Sequence, residues 1–206
     1  MIKVLIAVPT FENIMPDTFK AIYDLEKPEG VETLFEFVRG YDCAAARNRI
    51  VQKAQDLKVD YLFMIDNDVT VPKNALKCFL EDPKDVCLGF YAYRPANNVY
   101  SGKICLCKLG EYNYTDLYTA NEFETLRLAG TYREKIHGGG MGCAFIKMKV
   151  FNKIKYPYYY WKQYENGGTL SEDLWFCSQC AKNEIDIYGD TRVGCGHMLR
   201  KIQGVM

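Results

Sequence analysis

Charge of one sign and long apolar runs are both missing from this sequence. Lys plus Arg and Asp plus Glu each number 26 in 206 residues. That balance gives no general affinity for nucleic acid or an anionic membrane, although it leaves room for local basic patches, and nucleic acid is not expected as a partner. The apolar run at the start, Met1 to Val8, is closed by Pro9 and Thr10 too early to span a bilayer. No integral membrane segment is therefore expected, and a cytoplasmic location is. No internal repeat, low-complexity linker or second domain boundary breaks the chain. What is present is a composition 49% hydrophobic and 14% aromatic, enough to bury a sizeable core within one domain. The nine cysteines include Cys78, Cys87 and Cys143 inside apolar segments, where thiols behave as small hydrophobes, so free thiols in a reducing compartment are expected.

The first ninety or so residues alternate short apolar runs with amphipathic stretches, the pattern of a mainly parallel sheet covered by helices. Strands are expected over Lys3 to Val8, Glu32 to Val38, Tyr61 to Ile65 and Val86 to Tyr91, with helices over Asp17 to Leu25 and Ala44 to Leu57. From Ala96 to Tyr132 the periodicity fades into Tyr, Asn and Gly, which reads as irregular hairpins and substrate-facing loops. Order returns with a strand from Cys143 to Met148, the aromatic segment Tyr156 to Trp161 and a helix from about Ser171 to Asn183. A strand pair, Asp186 to Tyr188 and Thr191 to Cys195, leads to His197.

Three constellations could carry chemistry. The run Tyr61-Leu62-Phe63-Met64-Ile65 is almost continuously apolar, as a central strand buried on both faces should be, and Asp66-Asn67-Asp68 follows at its carboxyl end. Open α/β sheets bind ligands at that end. Two carboxylates in a tight turn can meet a hard divalent cation and leave positions for phosphate oxygens, although the same residues also serve as a plain polar turn. In Ser171-Glu172-Asp173 the serine is a helix cap and the acids suit the first turn. One of those acids facing a cleft would be a candidate general base, with a pKa that the helix terminus should lower. His197, among the small residues of Gly194-Cys195-Gly196-His197, could join Asp68 in mixed oxygen and nitrogen ligation, which favours manganese and tolerates magnesium.

In this order, Val8-Pro9-Thr10, Ala46-Arg47-Asn48, Asp60 to Asp68, Gly140-Met141-Gly142-Cys143-Ala144, Ser171-Glu172-Asp173 and Cys195-Gly196-His197 resemble the GT-A glycosyltransferases. The resemblance is greatest to the small family-two-like members of bacteria and their phages, and it spans nearly the whole chain. It implies an α/β GT-A fold, a mostly parallel central sheet flanked by helices with a small antiparallel element. It implies one domain over residues 1–206, with 1–95 as the nucleotide-binding half and 96–206 completing the acceptor and metal sites. The implied activity is metal-dependent transfer of a hexosyl group from a nucleotide-diphosphate sugar, a UDP-sugar, to a hydroxyl of a glycan or other acceptor. Inversion is preferred and Mn2+ or Mg2+ is the cofactor.

By the same resemblance Pro9 and Thr10 line the nucleobase pocket, Arg47 helps hold the nucleotide and Asp66 lies near its ribose and the donor sugar. Asn67 is the variable middle of the motif, and Asp68 and His197 take the metal. Gly139 and Gly140 belong to a loop passing close to the donor sugar, Arg94 contacts substrate, and Asp173 is the base, with Glu172 able to share that role.

Two other readings compete. Cys177, Cys180, Cys195 and His197 have the ligand types of a structural zinc site, although the first two fall in an amphipathic helix beside apolar neighbours. A sugar-phosphate nucleotidyltransferase would carry a glycine-rich basic loop after its first strand, where this chain has Pro9-Thr10-Phe11-Glu12-Asn13 with neither Gly nor Lys.

Overall fold

The computed structural model describes residues 1–39, 42–93, 101–110 and 114–198. The strands in chain order are β1 (Ile2–Thr10), β2 (Val31–Arg39), β3 (Tyr61–Ile65), β4 (Val69–Thr70), β5 (Val86–Phe90), β6 (Lys103–Cys107) and β7 (Leu117–Thr119). They continue as β8 (Arg133–Ile136), β9 (Gly138–Gly139), β10 (Cys143–Lys147), β11 (Lys162–Gln163), β12 (Thr169–Leu170), β13 (Ile187–Gly194) and β14 (Gly196–His197). The α-helices are α1 (Pro16–Tyr23), α2 (Cys43–Asp56), α3 (Ala75–Glu81), α4 (Ala120–Leu128) and α5 (Glu172–Lys182).

Seven strands form one sheet in the order β2-β1-β3-β10-β5-β13-β8. β1 pairs in parallel with β2 and β3, β5 pairs in parallel with β13, and β10 runs antiparallel between β3 and β5. β10, from the second half of the chain, is thus interleaved with strands of the first. The alternation along β1 explains why it reads as uniformly apolar. Leu5 and Ala7 pack on one face with Ile50 and Val51 of α2 and Phe176 of α5, while Val4, Ile6 and Val8 pack on the other with Ile22 of α1 and Phe79 of α3. Both faces are covered, so no polar alternation survives.

Two regions differ from the expectation. The stretch read as irregular hairpins contains β6, β7 and α4, the helix started by a capping box in which Thr119 and Glu122 bond reciprocally. The expected C-terminal strand pair is a single strand, β13, irregular between Gly189 and Gly194. Gly189-Asp190 resembles a turn but is not one. A Cβ at Gly189 would come within 2.8 Å of both Leu106 and Phe123, and Asp190 is a buried acid paired with Arg133 and Arg192. The glycine is there for close packing and the aspartate for charge. All nine cysteines are free.

The aromatic segment after β10 is tied to α2 by one amide. Buried Asn48 donates through Nδ2 to the Tyr159 carbonyl at 2.7 Å and accepts through Oδ1 from the backbone N–H groups of Tyr158 and Tyr159 at 3.0 and 3.2 Å. Asn48→Ala leaves three buried backbone groups unpaired, and each such loss costs on the order of 1–3 kcal/mol. Chemical denaturation should show a loss of at least about 2 kcal/mol; a variant as stable as the parent would contradict this account.

Candidate active site

The carboxyl ends of β1, β3, β5 and β13 lie along one edge of the sheet, with the N-termini of α2 and α5 beside them. This edge collects most of the residues singled out from the sequence. Asp66 follows β3. Arg47 projects from the second turn of α2, whose N-cap Asp42 accepts from the Ala45 N–H. Glu172 and Asp173 open α5, capped by the Ser171 side chain at the Leu174 N–H.

Four of these side chains form one cluster. The Arg47 side chain is 1% exposed; its Nη2 donates to Asp66 Oδ1 at 2.7 Å and its Nη1 to Glu172 Oε1 at 2.6 Å. Nη1 also lies 3.0 Å from Asp173 Oδ1. The resemblance assigns Arg47 to the nucleotide, but its guanidinium is turned inward and spent on carboxylates. Burial alone would lower its pKa; the surrounding acids outweigh this and hold it well above its usual range. Glu172, 6% exposed in its side chain, faces this cation and does not line the neighbouring cavity.

Asp173 is different. It lines the cavity, its side chain is 22% exposed, and its buried Oδ1 accepts no well-formed hydrogen bond despite the nearby guanidinium. Burial pushes its carboxyl up to about 7, with Arg47 opposing and Glu172 and Asp66 adding to the rise. The helix terminus was expected to lower this pKa; desolvation dominates instead. Asp66 is also raised, by burial first, with Arg47 pulling against it.

The cavity holds about 580 Å³, within the usual range for a small-ligand site, and its walls include Asp66, Tyr91, Tyr93, Lys103, Asp173 and His197. Lys103 is the only lysine or arginine among the described residues lining it. A second cavity of about 280 Å³ is lined by Pro9, Thr10, Asp66, Asn67 and Asp68. Asp66 belongs to both, so the two spaces meet at the end of β3. Asn67 acts structurally, its Nδ2 donating to the Asn13 carbonyl at 2.8 Å and its own carbonyl accepting from the Met15 N–H.

Asp68 and His197 are distant in sequence and adjacent in space. β14 pairs antiparallel with β4, the Met198 N–H donates to the Asp68 carbonyl, and His197 Nε2 comes to 3.8 Å from Asp68 Oδ2. That separation is too long for a hydrogen bond. The other ring nitrogen, Nδ1, is 3.2 Å from the Ala92 carbonyl, which orients the imidazole. One carboxylate and one imidazole fit a divalent cation whose remaining positions come from phosphate and water.

They do not make a closed zinc site. Among the described residues no group of three or more His, Cys, Asp or Glu is arranged to hold a metal ion. Cys177 and Cys180 are buried core thiols, and Cys195 contacts Cys143. The zinc reading is thereby corrected.

Gly139 and Gly140 line the larger cavity, but their lack of a side chain answers to protein atoms. A Cβ at Gly139 would lie 2.6 Å from the Cys105 carbonyl oxygen, and one at Gly140 would strike the Tyr91 hydroxyl. Arg94 lies outside the described residues.

Solved structures superpose on this chain nearly from end to end. A197 from STIV matches with TM-score 0.60 and 16% identity over 96% of this chain and 86% of its own. GalNAc-T7, crystallised with UDP, GalNAc and Mn2+, matches with TM-score 0.60 and 13% identity over 97% of this chain and 44% of its own. TarS 1-349 of S. aureus, in complex with UDP-GlcNAc, matches with TM-score 0.54 and 12% identity over 100% of this chain and 62% of its own. The fold is GT-A.

At these identities the likeness is one of fold. This chain spans less than half of the GalNAc-T7 chain and about three fifths of the TarS chain, 44% and 62%. No family model matches the sequence, and no curated protein matches it. Among the described residues no helix is long and apolar enough to cross a membrane. Within this GT-A sheet the residues that sequence reading passed over are Tyr91, Tyr93, Lys103 and Tyr114, which line the larger cavity. Of these only Lys103 and Tyr114 fall in the poorly periodic stretch, Tyr91 and Tyr93 stand at and just past the end of an expected strand, and no spacing singles any of them out.

The cluster makes a directional prediction. Replacing Arg47 by Met removes the one cation among three acids, and breaking a buried pair in this way costs about 3–5 kcal/mol. Asp66 and Asp173, already raised by burial against the pull of Arg47, should be raised further without it. Their contribution to stability is then present at low pH and lost as pH rises through the raised values. Thermal unfolding should show the deficit of R47M against the parent growing from pH 5 to pH 8; a deficit constant with pH would contradict the cluster's electrostatics.

Proposed function

We propose that this chain transfers a sugar from a nucleotide-diphosphate sugar, a UDP-sugar, to an acceptor hydroxyl with inversion at the anomeric carbon. The observation that carries the reading is Asp173: a cavity-lining carboxylate beside a fixed guanidinium, with a pKa pushed up to about 7. A general base works best with a pKa near the working pH. Glu172 does not line the cavity, so in this reading the base role goes to Asp173.

In this reading the acceptor enters the larger cavity and the nucleotide extends toward the smaller one, past Asp66. Asp173 accepts the proton of the acceptor hydroxyl as its oxygen forms a bond to the anomeric carbon. The bond from that carbon to the diphosphate oxygen breaks, and the nucleoside diphosphate leaves with the electron pair. Pro9 and Thr10 line the nucleobase end, Gly139 and Gly140 stand beside the sugar, and Lys103 offers its ammonium to the phosphates. Asp68 and His197 would hold Mn2+ or Mg2+, which when bound neutralises charge on the departing diphosphate. Arg47 acts as a positioning residue, holding Asp66 and Asp173 at the cleft without touching substrate. The acceptor in this reading is a glycan or another hydroxyl compound.

Asp173→Asn should leave nucleotide-sugar binding near normal and reduce transfer by about 100-fold or more, the scale of general base catalysis. For the parent, the rate should rise with pH through about 7 as Asp173 ionises. Stability runs the other way. A folded-state pKa above the unfolded one gives a contribution present below about pH 4 and lost as pH rises through the folded value, so D173N should be no less stable than the parent at pH 8. Transfer at parental rate by a well-folded D173N would remove the inverting reading.

Asp68→Asn should abolish metal-enhanced binding of UDP, read by thermal shift with and without Mn2+, while His197→Ala should weaken it less because water and phosphate can replace one ligand. Equal Mn2+ enhancement in D68N and the parent would place the cation elsewhere.

A further inference from the structure

The aromatic segment before α5 has an inward and an outward set of rings. Tyr158 and Tyr159 are buried, and Tyr159 stacks on Phe176 with centroids 5.0 Å apart beneath the Arg47 guanidinium. Tyr160, Trp161 and Tyr164 point the other way and are 48%, 50% and 42% exposed. Exposed aromatic surface of this kind on a small domain marks a binding site more often than chance.

The platform is pre-formed. β11 and β12 make a short hairpin whose turn is closed by Tyr164 N–H to the Gly168 carbonyl at 2.8 Å and Gly167 N–H to the Tyr164 carbonyl at 2.9 Å. Lys162 lies over the Tyr164 ring at 4.7 Å and over the Trp175 ring at 5.8 Å, joining hairpin to helix. The Trp175 Nε1–H donates to the Pro157 carbonyl at 3.2 Å, and Tyr160 meets Trp175 edge to face. β12 then runs directly into Ser171, on the wall of the larger cavity. The hairpin that carries Tyr164 is therefore joined through the chain to the rim beside Asp173.

We propose that this surface seats the sugar rings of an oligosaccharide acceptor, on the far side of the unit whose hydroxyl reacts. This rests on the transferase reading of the cavity. A pyranose has a C–H face that packs on an aromatic ring and a rim of hydroxyls that need polar partners. From residue 160 to 169 the exposed side chains are aromatic, amide, hydroxyl or carboxylate, with two glycines, and none is aliphatic. A membrane-binding face would set outward-facing cations around its inserting rings. Here Glu165 is exposed at the turn and Lys162 is drawn down onto the rings.

The two tryptophans of the chain, Trp161 and Trp175, both belong to this surface, so intrinsic fluorescence reports on it directly. The unsubstituted chain, Trp161→Ala and Tyr164→Ala should be compared on an array of glucose, N-acetylglucosamine, mannose and galactose hexasaccharides. Tryptophan fluorescence of the parent and Y164A should be titrated with the same sugars, and thermal shift with UDP and Mn2+ measured in parallel. The parent should retain at least one hexasaccharide, each substitution should weaken retention by about tenfold or more as loss of a contact aromatic does, and the UDP shift should be the same in all three. Retention of no hexasaccharide overturns the proposal, as does retention unchanged in both variants. Binding of the parent to phosphatidylglycerol vesicles, with no hexasaccharide retained, overturns it in favour of a membrane. If the parent shows no UDP shift, the donor reading fails, while retention lost in the variants still supports the sugar-binding surface.

Discussion

One buried guanidinium ties together the parts of this protein that have to meet for chemistry. Arg47 reaches from α2 to Asp66 after β3 and to Glu172 and Asp173 at the start of α5. A buried arginine without partners would be untenable, and three acids without a cation would be equally so. Their mutual dependence fixes where α5 docks against the sheet edge. It also divides labour among the acids: Glu172 satisfies the cation from inside, Asp66 spans the two cavities, and Asp173 keeps one side toward the larger cavity. One positive charge faces three negative ones in a desolvated place, and Asp173, whose Oδ1 accepts no well-formed hydrogen bond, is held well above the usual carboxylate range.

The second organising contact is the return of the chain at its described C-terminal end. β13 runs through the sheet beside β5, and the short β14 turns onto β4, bringing His197 to the strand end occupied by Asp68. Backbone pairing accomplishes this, so the imidazole position does not depend on a metal being bound. The Ala92 carbonyl and the Tyr91 ring, with centroids 5.2 Å apart from the imidazole, hold its orientation.

The aromatic segment is bound to the first of these arrangements. Its inner Tyr159 lies under the Arg47 guanidinium and stacks on Phe176, while Tyr160, Trp161 and Tyr164 stay exposed. Fold likeness at 12–16% identity accounts for the sheet. The outer rings are a feature of this chain's own surface composition.

Much was determined by local sequence. The uniform apolarity of Tyr61 to Ile65 marked a strand covered on both faces, Ser171-Glu172-Asp173 marked a capped helix start, and the order of short motifs pointed to the GT-A fold. These signals are short-range, carried by periodicity, caps and turn residues. Other features were decided only by tertiary structure. Nothing near Arg47 in sequence says that it faces carboxylates 19 and 125 residues away rather than a ligand. Nothing in Gly189-Asp190 says that the pair lies inside a strand. The direction of the Asp173 pKa shift is the sharpest case. The helix terminus, visible in sequence, lowers it, whereas burial, visible only once α5 is packed against α2 and the sheet, raises it by more. Desolvation depends on how many atoms from distant segments replace water around a group, and that number exists only in the folded chain.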